Sequence, residues 1–300
     1  MEQKLLNFIS ELINKAAGKG LQLLDEKPIG YGVQLKFGDA QNEIPVNVYF
    51  SQKKGISSVI GGSPQNPLRP LMYRLLNLQI EPKTDAHSWQ VWVGTDESGK
   101  GDFFGPLVAC GFLCNKAMLP TLQKLGVRDS KLIKDSEIVT IAKQLFARFL
   151  PNIETIVLMP PKYNQLYESF RSQNKKLNEL LAWMHARIIL NLHEKKQFEG
   201  AVVDKFASDR TLKTSLKDLK QVQILHKIRG EEDPAVAAAS VIARYLFIKK
   251  MAELSQKYEM EFPKGASAKV VKMGKEYAAK YEKAKLAEVA KIHFKTFNEI

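Results

Sequence analysis

Two carboxylates stand side by side at Asp96 and Glu97, inside the stretch GTDESGKGDFFGP of residues 94–106, and a glycine-lysine-glycine turn follows them at Gly99, Lys100 and Gly101. Adjacent hard oxygen donors beside a flexible cationic loop suit a divalent cation that handles phosphate. The preceding run QVWVGTD is β-rich and alternating, so residues 90–95 read as a strand with Asp96 at or near its end. PLVACGFLC after the turn reads as a second, buried strand. Successive strand residues face opposite ways, so one site shared by Asp96 and Glu97 calls for the strand to end or bend between them. The glycines that follow permit such a bend.

Two other readings compete for this stretch. One is a β-hairpin whose turn is acidic and glycine-rich without doing chemistry. The sharper one is a phosphate-cradling P-loop, since residues 94–100 fit GxxxxGK. That reading fails at the next position, where Gly101 replaces the Ser or Thr that would ligate magnesium, and Asp96 and Glu97 would line the loop where phosphates must sit.

A third carboxylate, Asp204, falls at the end of the apolar run in EGAVVDKF, and acidic residues at strand ends are where α/β enzymes tend to keep their chemistry. An ordinary turn aspartate is the alternative there. The fourth lies in RGEEDPAVAAASVIARY. Asp233 followed by Pro234 forms a good N-cap and first turn for the alanine-rich helix beyond, which leaves Glu231 and Glu232 as the freer carboxylates.

These residues need a frame. Leu5, Phe8, Ile9, Leu12 and Ile13 repeat at helical spacing, which predicts an amphipathic helix over residues 3–16. β-rich stretches at 21–24, 33–37, 46–50 and 56–60, punctuated by glycine and asparagine, predict an antiparallel meander, and residues 67–78 a closing helix. Residues 1–80 thus form a small α+β domain, and the polar, proline-bearing segment 81–88 a linker. Over residues 89–300, strands at 90–95, 106–114, 154–158 and 200–204 alternate with helices at 135–149, 174–194, 235–254 and 275–290, an α/β layer fold with a mixed sheet.

The chain has 300 residues, 45% of them hydrophobic, which is enough for a sizeable core, and a net charge of +13 that favours a polyanionic partner. Residues 1–86 carry only +2 of that charge, so the basic surface belongs mostly to the C-terminal part. The lysine-rich last segment reads either as a solvated helix face or as a nucleic-acid contact. Cys110 and Cys114, the only cysteines, share one apolar run and read as buried, reduced thiols of a cytoplasmic protein. The acidic, amphipathic start does not resemble a signal peptide, and no apolar run approaches the roughly 18 residues of a membrane span. The five histidines show no HxxxH or HxH spacing, so a zinc site is not expected.

The pieces GTDESGKGDFFGPL at 94–107, DSK at 129–131, VVDKFA at 202–207 and AVAAASVIARY at 235–245 resemble the type 2 ribonuclease H family, and most closely its ribonuclease HIII branch. The resemblance spans residues 90 to about 300. It implies an RNase H-like catalytic domain preceded by a small TATA-box-binding-protein-like domain, which matches the N-terminal part in length and element order. It implies a four-carboxylate site of Asp96, Glu97, Asp204 and Glu231, with Glu232 and then Asp233 as alternatives for the last. It implies cleavage of the RNA strand of an RNA/DNA hybrid, with Mg²⁺ or Mn²⁺ as cofactor. In the resembling family the backbone of the glycine-lysine-glycine turn reads the ribose 2′-hydroxyl, here through Gly99, Lys100 and Gly101. Lys131 in DSK and Lys264 in FPKGAS are further residues for phosphate contact. The chemistry agrees: phosphodiester hydrolysis by two divalent ions, leaving 5′-phosphate and 3′-hydroxyl ends, needs a cluster of hard oxygen ligands and no active-site histidine. Nothing calls for a protein partner, and a monomer is expected.

Overall fold

The computed structural model describes residues 3–51, 55–63, 66–76, 87–204, 221–227 and 230–300 with Leu212, Leu216 and Leu219, the side chains of Asp204, Lys227 and Glu231 excepted. The chain divides into two compact units, Met1–Thr84 and Asp85–Ile300. Residues 81–86 of the expected linker lie outside the described residues.

In the first unit, α1 (Gln3–Ala17) buries Leu5, Ile9, Leu12 and Ala16, one face at helical spacing. Strands β1 (Gln22–Ile29), β2 (Gly32–Gly38), β3 (Glu43–Ser51) and β4 (Gly55–Ile60) form an antiparallel sheet in sequence order. Val33, Leu35 and Phe37 alternate inward on β2, as do Ile44, Val46 and Val48 on β3. The helix α2 (Arg69–Leu75) closes the unit and is shorter than the predicted 67–78, of which residues 77 and 78 are not described.

The second unit is built on five strands in the order β7-β6-β5-β8-β9. Strands β5 (Val91–Ser98), β6 (Leu107–Asn115) and β7 (Ile153–Leu158) run antiparallel, whereas β8 (Gly200–Asp204) and β9 (Gln223–Lys227) run parallel to β5. The mixed sheet is as expected, but β9 was not: its five residues, QILHK, include three polar side chains in too short a run to show a period.

Period-two alternation sorts the sheet's two faces. Val108, Cys110, Phe112 and Cys114 of β6 join the core containing α4 (Asp135–Phe149) and the long helix that starts at Pro234, while Leu107, Ala109 and Leu113 join the core on the opposite face. Cys110 and Cys114 are accordingly buried and unbridged. A short helix α3 (Leu119–Lys124) precedes α4, and the predicted helix over 174–194 is α6 (Leu177–Lys195). Another helix that the sequence did not suggest, α5 (Pro160–Arg171), stands before it. The remaining helices are α7 (Pro234–Tyr258), α8 (Ala268–Tyr281) and α9 (Thr296–Glu299). The helix expected over 275–290 therefore begins earlier and stops at Tyr281, where Glu282 takes a positive φ of 73° and a 3₁₀ stretch, Lys283–Glu288, replaces it. None of the helices is long and apolar enough to cross a membrane among the described residues.

Candidate active site

The N-terminus of α7 is set against β5 by one residue without a side chain. A Cβ on Gly94 would come within 2.1 Å of the Val236 nitrogen and 2.3 Å of the Ala235 carbonyl carbon, so only glycine lets the helix backbone lie on the strand there. Asp233 caps that helix: Oδ1 accepts from the amides of Ala235 at 2.9 Å and Val236 at 3.2 Å, and from Nε1 of Trp92 at 3.1 Å. Its Oδ2 lies 3.2 Å from Nε2 of His87, whose ring stacks on Trp89. Both oxygens of this buried carboxylate are thus engaged by the fold, and Asp233 takes the structural role its Asp-Pro sequence suggested. Glu232 is exposed and Glu231 belongs to the 3₁₀ turn Gly230–Glu232, which packs on β8. The Glu231 side chain lies outside the described residues.

The strand neither ends nor bends between Asp96 and Glu97. It continues to Ser98, paired with β6 through Asp96↔Cys110, Glu97↔Ala109 and Ser98↔Val108. On the other edge its ladder with β8 ends at Thr95↔Val203. Beyond that point no pairing partner lies on this edge among the described residues, and carboxylates from opposite faces can reach the same cleft. Asp96 and Glu97 both do, lining a cavity of about 400 Å³ together with Gly99, Lys100, Gly101 and Lys131. Extending the parallel register by one residue sets the backbone of Asp204 beside Asp96; the Asp204 side chain, like that of Glu231, is not described.

Glu97 is the better defined carboxylate. Its Oε1 lies 3.7 Å from Nζ of Lys100, and its Oε2 lies 3.3 Å from Nε2 of His185, a fully buried residue of α6. The second contact is at ion-pair distance without hydrogen-bond alignment, so that among the described residues Oε2 is a buried acceptor with no aligned hydrogen bond. Burial alone would raise the Glu97 pKa, but His185 and Lys100 outweigh it and hold the carboxyl below its usual range. Asp96 receives the Glu97 amide at 2.8 Å on Oδ1. An ionised glutamate with an unbonded buried oxygen, next to a second carboxylate, is a donor set for a hard cation such as Mg²⁺ or Mn²⁺. Among the described residues no three His, Cys, Asp or Glu side chains cluster at metal-holding distance.

The cavity wall also holds residues that reading the sequence passed over. Ser240 and Arg244 are four apart on α7 and so share a face. The Ser240 hydroxyl meets that of Ser130 at 2.6 Å, in the DSK turn that Asp129 caps. Arg244 hydrogen-bonds Oδ1 of Asp135 at 3.3 Å, and Lys264 pairs with the other oxygen of Asp135. Lys264 is exposed and does not line the cavity itself, but it reaches the lining residue Asp135. Burial works against the charge on Asp135, but Lys264 and Arg244 hold its pKa below the usual value. Only the i, i+4 spacing of Ser240 and Arg244 was available in the sequence as a signal; the meeting with Asp135 is long-range.

Residues 93–297 match the Ribonuclease HII family. The chain belongs to that family. Ribonuclease HIII of Chlamydia felis (strain Fe/C-56) is 42% identical over 212 residues, covering 69% of this chain and 69% of the relative. Ribonuclease HIII of Protochlamydia amoebophila (strain UWE25) is 40% identical over 209 residues, covering 69% and 67%. Among solved structures, Bst-RNase HIII in complex with Mn²⁺ has a TM-score of 0.63 at 22% identity, over 99% of this chain and 95% of that one. Aquifex aeolicus RNase H3 has a TM-score of 0.54 at 23% identity, over 96% of each. The resemblance to the ribonuclease HIII branch holds, as does the fold it implied. Membership makes this chain a metal-dependent ribonuclease of the type that acts on RNA/DNA hybrids.

Proposed function

We propose that the protein is an endoribonuclease that hydrolyses the RNA strand of RNA/DNA hybrids with two divalent ions, Mg²⁺ or Mn²⁺, and leaves 5′-phosphate and 3′-hydroxyl ends. The observation that carries this reading is the one cleft that Asp96 and Glu97 share just past Thr95, where the described ladder of β5 with β8 ends. Asp96, Glu97, Asp204 and Glu231 would hold the ions. Glu231 is preferred because Asp233 is consumed by capping and Glu232 is exposed. When bound, the ions supply an activated water and stabilise the leaving oxygen.

The chain's own residues do the rest. The carboxylates repel a bare phosphate backbone, so productive engagement waits for cations in the cleft. Gly99, Lys100 and Gly101 bring main chain to the ribose, and glycine permits that approach. Lys100, held near Glu97 at 3.7 Å, lines the same cavity and would turn toward a phosphate, and Lys131 lies on the same wall. Lys264 would act from outside the cavity lining, through Asp135, which also holds Arg244. In the same reading residues 1–80 grip the duplex, residues 81–88 link them to a catalytic domain over 89–300, and the enzyme works as a cytoplasmic monomer.

Cleavage of a labelled RNA/DNA hybrid by wild type, Asp96→Asn and Glu231→Gln, with each metal, tests the reading. Loss of activity in both variants, with 5′-phosphate ends from the wild type, is expected. An active Glu231→Gln would return the fourth place to Glu232, and an intact hybrid with wild type would sink the reading.

A further inference from the structure

Among the described residues Lys291 is the only lysine with no solvent exposure. It lies where the C-terminal segment is laced to the loop that follows the glycine-lysine-glycine turn. The Gly105 amide donates to the Val289 carbonyl at 2.9 Å, the Lys291 amide donates to the Phe103 carbonyl at 2.8 Å, and Phe104 and Ala290 form an isolated bridge. The side chain continues the pattern inward. Its Nζ donates to the carbonyls of Gly105 at 2.7 Å, Pro106 at 3.3 Å and Phe104 at 3.5 Å. An ammonium has three donors and no acceptor, so the three carbonyls use it completely.

One of those carbonyls leads to the turn. A Cβ on Gly99 would meet the Pro106 oxygen at 2.2 Å, and Gly99 has a φ of +89°. Gly99 is therefore seated directly on an oxygen that Lys291 also holds. The loop's near end is tied as well, since Asp102 accepts the Gly265 amide at 2.7 Å and the Phe103 amide donates to the Gly265 carbonyl at 2.9 Å.

We propose that Lys291 is a positioning residue for the ribose-reading turn: by gathering the carbonyls of Phe104, Gly105 and Pro106 it sets the place of Gly99, and through Gly99 the main chain that meets the substrate sugar. This rests on the hydrolase reading above. Burial draws the Lys291 amine down to about 7 against the opposing pull of Asp102, so keeping an amine here works against its charge. An apolar side chain of the same length would fill the space without that cost but would gather no carbonyls.

Single-turnover cleavage of a labelled RNA/DNA hybrid with Mn²⁺ is compared for wild type, Lys291→Met and Lys291→Gln. Mn²⁺ binding by calorimetry and backbone amide exchange over residues 99–106 are measured on the same preparations. The maximal rate should fall about tenfold or more while half-saturation by hybrid and the affinity for Mn²⁺ each stay within about threefold, because misplacing a contact made at the reacting centre costs rate before it costs binding. Exchange over residues 99–106 should quicken selectively, and Lys291→Gln, which keeps two N–H donors, should lose less than Lys291→Met. An unchanged maximal rate beside an active wild type overturns the proposal. So does a fall that tracks lost Mn²⁺ affinity, or unfolding of both variants, which would make Lys291 a structural plug. An inactive wild type would instead overturn the hydrolase reading on which this one rests.

Discussion

Oε2 of Glu97 lies 3.3 Å from Nε2 of His185, so a carboxylate at the mouth of the cleft leans on a histidine that has no contact with solvent. The pair joins β5 to α6 across one face of the sheet.

Residues that hold a metal-binding carboxylate in place commonly set affinity for the ion. His185→Ala is expected to weaken Mn²⁺ binding by about tenfold, with Asp96 still in place and the fold retained. Calorimetric titration of the substrate-free protein reads this directly. Equal affinity in the two proteins would show that Glu97 needs no such support.

Asp233 should separate structure from chemistry. Replacing it by Ala leaves two helix amides and the buried Trp92 N–H without an acceptor, and a loss of about 2–5 kcal/mol is expected in urea denaturation. Asp233→Asn retains an acceptor oxygen for those donors, so it should fold and keep hybrid cleavage within a few-fold. If Asp233→Asn were as inactive as Asp96→Asn, Asp233 would have to be counted among the metal ligands.

Two glycines should respond in opposite ways. Ala at 94 would clash with the backbone of Val236 and Ala235, forcing α7 off β5, and at least about 2 kcal/mol of stability should be lost. Ala at 101 meets nothing within 4 Å. Gly101→Ala should therefore melt with the wild type yet cleave the hybrid more slowly, since the added methyl stands where a ribose is expected. Wild-type kinetics in Gly101→Ala would remove that residue from the substrate contacts.

Lys291 should leave a mark on stability against pH. Its amine titrates at about 7 in the folded chain and near the ordinary 10.5 when unfolded. Between those values the unfolded chain binds the extra proton, so stability rises with pH; the cost of the buried charge is in full force below about 7 and gone above the unfolded value. Asp102, His293 and Tyr163 are titratable neighbours; burial and Lys291 hold His293 down at about 4, and burial pushes the Tyr163 hydroxyl well up, so both titrate outside this window. The wild type should gain on Lys291→Met in melting temperature from pH 7 to 9. A constant gap would mean that the three carbonyls keep the amine charged throughout.

Much of the chemistry was legible because it is local. Asp96 and Glu97 are neighbours in sequence, and Asp233-Pro234 carries its capping signal within two residues. The meander of the first unit and the buried strand of residues 107–115 show their period in a few residues each. The misses have a common cause. Strand β9 is too short and too polar to display a period, α5 was hidden by its paired prolines and mixed face, and His185 is the one histidine among the otherwise apolar buried residues of its helix.

The sequence by itself determined which groups are present and which local conformations they favour: paired carboxylates, a glycine turn, a capped alanine-rich helix, and strands of a given face. Only the tertiary structure decided how these meet. The described ladder to β8 ends at Thr95, and just past it both carboxylates enter one cleft; Asp135 gathers Arg244 and Lys264 from more than a hundred residues away; and Lys291 reaches back to the loop beside Gly99. Such pairings depend on register and on the close approach of backbones. Those are properties of the packed chain, and no window of neighbouring residues encodes them.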